Sequence, residues 1–195
     1  MKLINLLFPV LICSFLQGCG KQSQDKNNYQ VYISDIELSE DLADLTYQMT
    51  EKDTIEVLAN LTMEWWVRME KMIITKSNDS IFIQATVKED TTFELRYQMR
   101  VNEFPKVKMK TADRTFENYF LSKLERTDSG KGKNYNWFYK IINQTDTLIF
   151  YTYGLGDKGG LVGEHFQFMQ EFYPDEEEYI PIKVIEESEI NENPG

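Results

Sequence analysis

The chain has 195 residues, with 21 lysines and arginines against 32 aspartates and glutamates, and a formal net charge of −11. That balance argues against nucleic acid as a partner, because binding it rests on neutralising phosphates. A single histidine, His165, excludes a multi-histidine metal site within one chain; beside Phe166 it reads as a polar residue on an ordinary element.

Residues 1–16 hold one basic residue, Lys2, and then run uncharged through Leu3, Ile4, Leu6, Leu7, Phe8, Val10, Leu11, Ile12, Phe15 and Leu16. This is the pattern of an export signal, and it is shorter than the roughly 20 apolar residues that a membrane span needs. At its end stands Leu16-Gln17-Gly18-Cys19, which resembles the lipobox of bacterial lipoproteins, with Gln17 larger than usual for its position. The resemblance covers residues 1–19 alone. It implies that residues 1–18 are removed, that Cys19 carries a diacylglycerol (with palmitate-like acyl chains) as the new N-terminus, and that the domain is lipid-anchored to a bacterial membrane outside the cytoplasm. The expected place is the outer membrane, on its periplasmic or cell-surface face. Cys13 would go with the signal and Cys19 into the anchor, leaving no thiol for catalysis, disulfides or zinc. Residues 19–28 continue as a polar tether.

From residue 29 onward alternation dominates. The stretch Ile55, Val57, Ala59, Leu61, Met63, Trp65, Val67, Met69 alternates and reads as a long or bent strand, although Leu58, Leu61, Trp65, Met69 and Met72 also fit a helix. Ile81, Ile83, Ala85 and Val87 predict a strand after the turn at Ser77, Asn78 and Asp79. Phe93, Leu95, Tyr97, Met99 and Val101 predict another, with Arg96 and Arg100 on its solvent face. Val107 and Met109 alternate with Lys106, Lys108 and Lys110, which places a basic stripe on an outer face. Residues 113–126 predict a helix, with Phe116, Phe120 and Leu124 on one side and Asp113 as its cap. A glycine- and lysine-rich loop at 128–133 leads to a hairpin, in which Tyr135, Trp137, Tyr139 and Ile141 are followed by a turn at 143–146 and a strand at 148–153. Residues 164–173 fit a strand or a helix, and 179–185 a short edge strand around Pro181. The sum is a single α+β domain over 29–185, dominated by an antiparallel, possibly curved sheet with at least one covering helix, and then an acidic tail at 186–195.

Residues 154–159 (GLGDKG) match GxGxxG, but they follow a hairpin rather than open a parallel βαβ unit, so they read as a glycine-rich loop, available as a lid or a contact surface. Asp175, Glu176, Glu177 and Glu178 lack the spacing of a calcium loop and read as a solvated charge run. Adjacent Trp65 and Trp66 would face opposite sides of a strand, which puts one ring on the surface. Asp53-Thr54-Ile55, Asp79-Ser80-Ile81, Asp90-Thr91-Thr92 and Asp146-Thr147-Leu148 resemble the O-glycosylation triplet of Bacteroidetes proteins, and equally fit turns that run into strands.

Nothing here requires a cofactor or a metal, and no pair of carboxylates is singled out by spacing. The expectation is therefore a non-catalytic protein-binding module, with the immunity-type inhibitor of a toxin as one form. Its candidate surface comprises Trp65, Trp66, Lys106, Lys108, Lys110 and the acids Asp175, Glu176, Glu177 and Glu178. Acids crowd from Glu171 onward, with Lys183 the lone base, whereas bases outnumber acids between Arg96 and Lys140. Such a separation suits the steering of a partner. The alternative is a carrier of an apolar or lipid ligand in a curved-sheet cavity, and a carboxylate-based hydrolase comes third.

Overall fold

Alternating apolar residues build one seven-stranded antiparallel sheet in the computed structural model, which describes residues 31–64, 66–90, 99–127, 136–144 and 146–180. The lipobox and tether, Trp65, the strand expected at Phe93 to Tyr97, the loop at 128–133 and the tail at 186–195 lie outside the described residues. The strands are β1 (Thr54–Asn60), β2 (Val67–Ser77), β3 (Ser80–Asp90), β4 (Arg100–Glu103), β5 (Val107–Lys108), β6 (Trp137–Asn143) and β7 (Asp146–Tyr151). Their order is β4-β3-β2-β1-β6-β7, with β5 also pairing to β3. Short helices α1 (Leu38–Asp41) and α2 (Leu45–Gln48) precede the sheet, α3 (Thr115–Leu121) lies between β5 and β6, and α4 (Leu155–Gln170) follows β7. The α+β class expected from the sequence is the class observed.

One face of the sheet is sealed. Ile55, Val57 and Ala59 of β1, Met72 and Ile74 of β2, Ile81, Ile83, Ala85 and Val87 of β3 and Ile141 of β6 are buried there with Phe116 and Phe120 of α3 and Leu161, Phe168 and Met169 of α4. The other face carries Leu58, Met69, Ile73, Phe82, Ile142 and Ile149, all half-buried, among Lys71, Gln84, Lys88 and Thr147, which are exposed. An antiparallel sheet with one covered and one wet face accounts for the clean alternation of β3.

Several expectations are corrected. Residues 55–72 form no single bent strand. The chain reverses after Asn60, through a bridge between Met63 and Trp66, so β1 and β2 pair with Ile55 opposite Ile74 and Asn60 opposite Met69. Beyond that turn the buried phase shifts, so Val67 is 41% exposed while Arg68 and Glu70 face the interior. In β4, the described end of the strand expected from Phe93 to Val101, the expected burial is not found. Met99 and Val101 are exposed, whereas Arg100 pairs across to Glu89 and points to the sealed side. An edge strand has too little cover to bury apolar residues, and the carboxylate of Glu89 offers Arg100 a partner.

The helix expected at 113–126 is broken into a 3-10 turn, α3 and a second 3-10 turn at Leu124–Thr127. Arg114, with φ +50°, stands where Asp113 was expected to cap, and Leu124 is exposed. Residues 154–159 are no loop. Gly154, whose φ of +126° favours glycine, opens α4, and Gly156, Gly159, Gly160 and Gly163 lie inside it. Each internal glycine weakens an isolated helix by about 1 kcal/mol, so α4 is held by its buried residues rather than by propensity. The ambiguous segment 164–173 is helical up to Gln170, and Tyr179 sits in a 3-10 turn (Glu177–Tyr179) rather than a strand. Three of the aspartate triplets do what turn chemistry predicts, because β1, β3 and β7 begin at Thr54, Ser80 and Asp146.

Candidate functional site

The phase shift in β2 has a chemical consequence. Arg68 and Glu70, two apart and on one face, are carried into the interior, where α4 sets His165 above them. Glu70 and His165 are fully enclosed. Glu70 Oε1 accepts from Arg68 Nε at 2.7 Å and from the same guanidinium's terminal nitrogen, while Oε2 accepts from His165 Nε2 at 2.7 Å and from the Tyr179 hydroxyl at 3.2 Å. Burial by itself would raise the pKa of Glu70. The charge and hydrogen bond of His165, and then those of Arg68, outweigh it and hold the carboxyl below its usual range.

An ionised carboxylate only accepts, so Nε2 of His165 carries a proton toward Glu70. The Tyr139 hydroxyl lies 2.8 Å from Nδ1 and 2.7 Å from the Tyr119 hydroxyl. A hydrogen-bonded chain thus runs from Tyr119 through Tyr139 and His165 to Glu70. A register shift between Trp137 and Tyr139 makes this possible, because it turns both Phe138 and Tyr139 into the core.

Around Arg68 the chemistry continues toward the surface. The rings of Phe166, Trp66 and Tyr179 stand 5.0, 5.6 and 5.7 Å from its guanidinium carbon. Glu89 and Glu178 lie within 4 Å of its nitrogens, Glu89 accepts from the indole of Trp66, and Arg100 reaches both acids at 3.2 and 2.6 Å. Asn102 donates to Glu178 at 2.8 Å.

Of the candidate surface residues, Trp66 and Glu178 are thus drawn into this ionic cluster, so the acidic run is not uniformly solvated. Asp175 and Glu177 are exposed and Glu176 is half-buried. Lys106, Lys108 and Lys110 are exposed elsewhere. Lys108 pairs opposite Phe82 on the open face of the sheet, and Lys106 sits over the Phe82 ring at 5.0 Å. The structure therefore does not bring the two halves of the predicted surface together. Sequence reasoning missed Arg68, Glu70, Glu89 and Tyr139, and it took His165 for an ordinary polar residue.

A carboxylate that fixes the tautomer of a histidine beside a hydroxyl is the arrangement that activates nucleophiles. Here Glu70, His165 and Tyr139 are buried in the interior, at 1% exposure or less. Among the described residues no group of side chains is arranged to hold a metal ion, and no helix is long and apolar enough to cross a membrane. A groove of about 890 Å³ lies at the other end of the sheet, between Tyr47, Lys76, Arg114 and Glu117. Four of its five charged groups are already engaged. Glu117 accepts from the backbone and hydroxyl of Thr46, Arg114 is bound to Asp44, and Lys76 donates to the carbonyl of Met49. No family, curated protein or solved structure matches this chain.

Alkaline pH tests the buried tyrosines. Burial raises the phenols of Tyr139, Tyr119 and Tyr179 well above their ordinary value, and it pushes Tyr173 up to about 12. A folded-state value above the unfolded one, about 10, means that the stabilisation is complete below pH 10 and is lost as pH rises toward 12 and beyond. Stability measured by urea denaturation should therefore be flat from pH 8 to 9.5 and fall steeply above 10. A Tyr173→Phe variant should lose part of that slope, and an unchanged slope would mean that Tyr173 ionises freely in the fold.

Proposed function

We propose that this chain is a membrane-anchored extracytoplasmic lipoprotein whose folded domain is a non-catalytic protein-binding module, an immunity-type inhibitor of a toxin being one form of it. The anchor rests on the resemblance of Leu16-Gln17-Gly18-Cys19 to a lipobox. The observation that supports binding is the two-faced sheet. Its polar machinery and aromatic rings fill the sealed side, where Tyr119 and Phe168 stack at 4.0 Å and Phe120 touches five other rings. Its other side leaves Leu58, Met69, Ile73, Phe82, Ile142 and Ile149 only half-buried on adjoining strands. Contiguous exposed apolar surface rimmed by charge is the mark of an interaction site. The interior packing and the engaged groove favour this reading over a carrier.

Photo-crosslinking in cells of the native host tests it. A photoreactive residue at Ile73, on the open face, should trap a discrete protein, and the same residue at exposed Glu40 should not. An absence of protein adducts from Ile73 would overturn the reading.

A further inference from the structure

Among the described residues, the charge on the open face is opposite in sign to that of the chain. Lys71, Lys88, Lys108 and Lys140 lie on it, with Lys106 over Phe82, against Glu56, Asp90 and Glu103. Lys71 is paired with Glu56. Lys88, Lys106, Lys108 and Lys140 have no carboxylate within salt-bridge distance among the described residues, in a protein with 32 acids. Lys140 lies instead 4.5 Å from the centre of the Trp137 ring, and Lys106 on Phe82 in the same way, so their stems and heads are held against the face.

Register places these cations in a pattern. Lys140 and Lys71 flank Leu58 in one row across three strands, about 10 Å apart at ordinary strand spacing. Lys88 stands opposite Met69, one diagonal step from Lys71. Leu58, Met69 and Ile73 fill the positions between them. We infer that this face takes a protein partner that presents carboxylates among apolar side chains, with Lys88, Lys108 and Lys140 as the cations that meet them. The inference rests on the reading of the domain as a protein-binding module and adds the chemistry of the partner. Unpaired lysines on an acidic protein would speed the encounter with such a surface and repel a basic one.

The test uses the full chain with the photoreactive residue at Ile73, in cells of the native host, alone and combined with Lys88→Glu and Lys140→Glu. Both positions are on the outer side of their strands, and circular dichroism of the purified variants checks that they fold. The adduct yield should fall roughly tenfold with the two glutamates, equivalent to about 1.4 kcal/mol, because they set like charges against the partner's carboxylates, and it should persist with Lys88→Arg and Lys140→Arg. Peptides trapped from the partner should be rich in aspartate and glutamate. A protein adduct of undiminished yield in the glutamate variant would overturn this inference and leave the binding module standing, whereas no protein adduct would remove both. An adduct of two copies of this chain, or of the chain with a phospholipid, would also overturn the inference, because another occupant would then cover the face.

Discussion

Replacing Glu70 with alanine is expected to lower the stability of the fold by about 3 to 5 kcal/mol, because it leaves the Arg68 guanidinium buried without its main counter-charge. Arg68 is 3% exposed, and after Glu70 its nearest carboxylates, on Glu89 and Glu178, stand at 3.8 and 3.7 Å. His165 would lose the acceptor of its Nε2 proton and Tyr179 the acceptor of its hydroxyl, so two further buried donors go unsatisfied, each costing roughly 1 to 3 kcal/mol when unrelieved. The sum of such parts overstates the whole, since neighbouring groups relax together. Removing both charges is different in kind. Arg68→Met with Glu70→Leu deletes the ion pair and leaves apolar surface under the rings of Trp66, Phe166 and Tyr179, so the double variant should be markedly more stable than Glu70→Ala alone. Urea denaturation of the three proteins measures this directly. A loss below 1 kcal/mol in Glu70→Ala would mean that water reaches the pair and that the cluster is not sealed.

That cluster was illegible in the sequence for a definable reason. Val67, Met69 and Ile73 share one parity of β2, while Met72 and Ile74 share the other with Arg68 and Glu70, so composition alone does not set the phase. Apolar residues at 67 and 69 argue for the wrong face. What decides the matter is the partner set, since Glu70 can turn inward only because His165 and Tyr179 arrive from far along the chain. By contrast β3, where Ile81, Ile83, Ala85 and Val87 share one parity and Phe82 is the one large apolar residue on the other, was legible, and so was the hairpin of β6 and β7. His165 did carry a signal. Leu161, His165, Phe168 and Met169 are spaced as one face of a helix and are all buried, but the glycines at 156, 159, 160 and 163 gave α4 the look of a loop. The lysines of the open face were legible as alternation in β5, whereas the row that joins Lys140 to Lys71 exists only through strand order.

Phe120→Ala should cost about 3 to 5 kcal/mol, the range for emptying a large aromatic from a packed core. Its ring is fully buried, with centroids of Phe116, Tyr119, Tyr139, Phe150 and Phe168 at 4.9, 5.2, 5.2, 5.7 and 5.7 Å. These neighbours come from three elements other than its own helix, namely β6, β7 and α4, so no single side chain can move in to fill the cavity. Edge-to-face contacts with Tyr119, Tyr139 and Phe168 add roughly 0.5 to 1.5 kcal/mol each to what area burial alone gives. Two of those neighbours, Tyr119 and Tyr139, carry the hydroxyls hydrogen-bonded in line to His165, so the cavity should also loosen the polar chain. Leu124, the third residue of the same predicted stripe, is 38% exposed, and Leu124→Ala should cost well under 1 kcal/mol, in the range of ordinary surface changes. Urea denaturation midpoints at constant slope give both values. Equal losses at the two positions would restore the long helix that the sequence suggested and remove the break after Leu121, whereas a large loss at Phe120 alone places the aromatic hub where α3 meets the sealed face of the sheet.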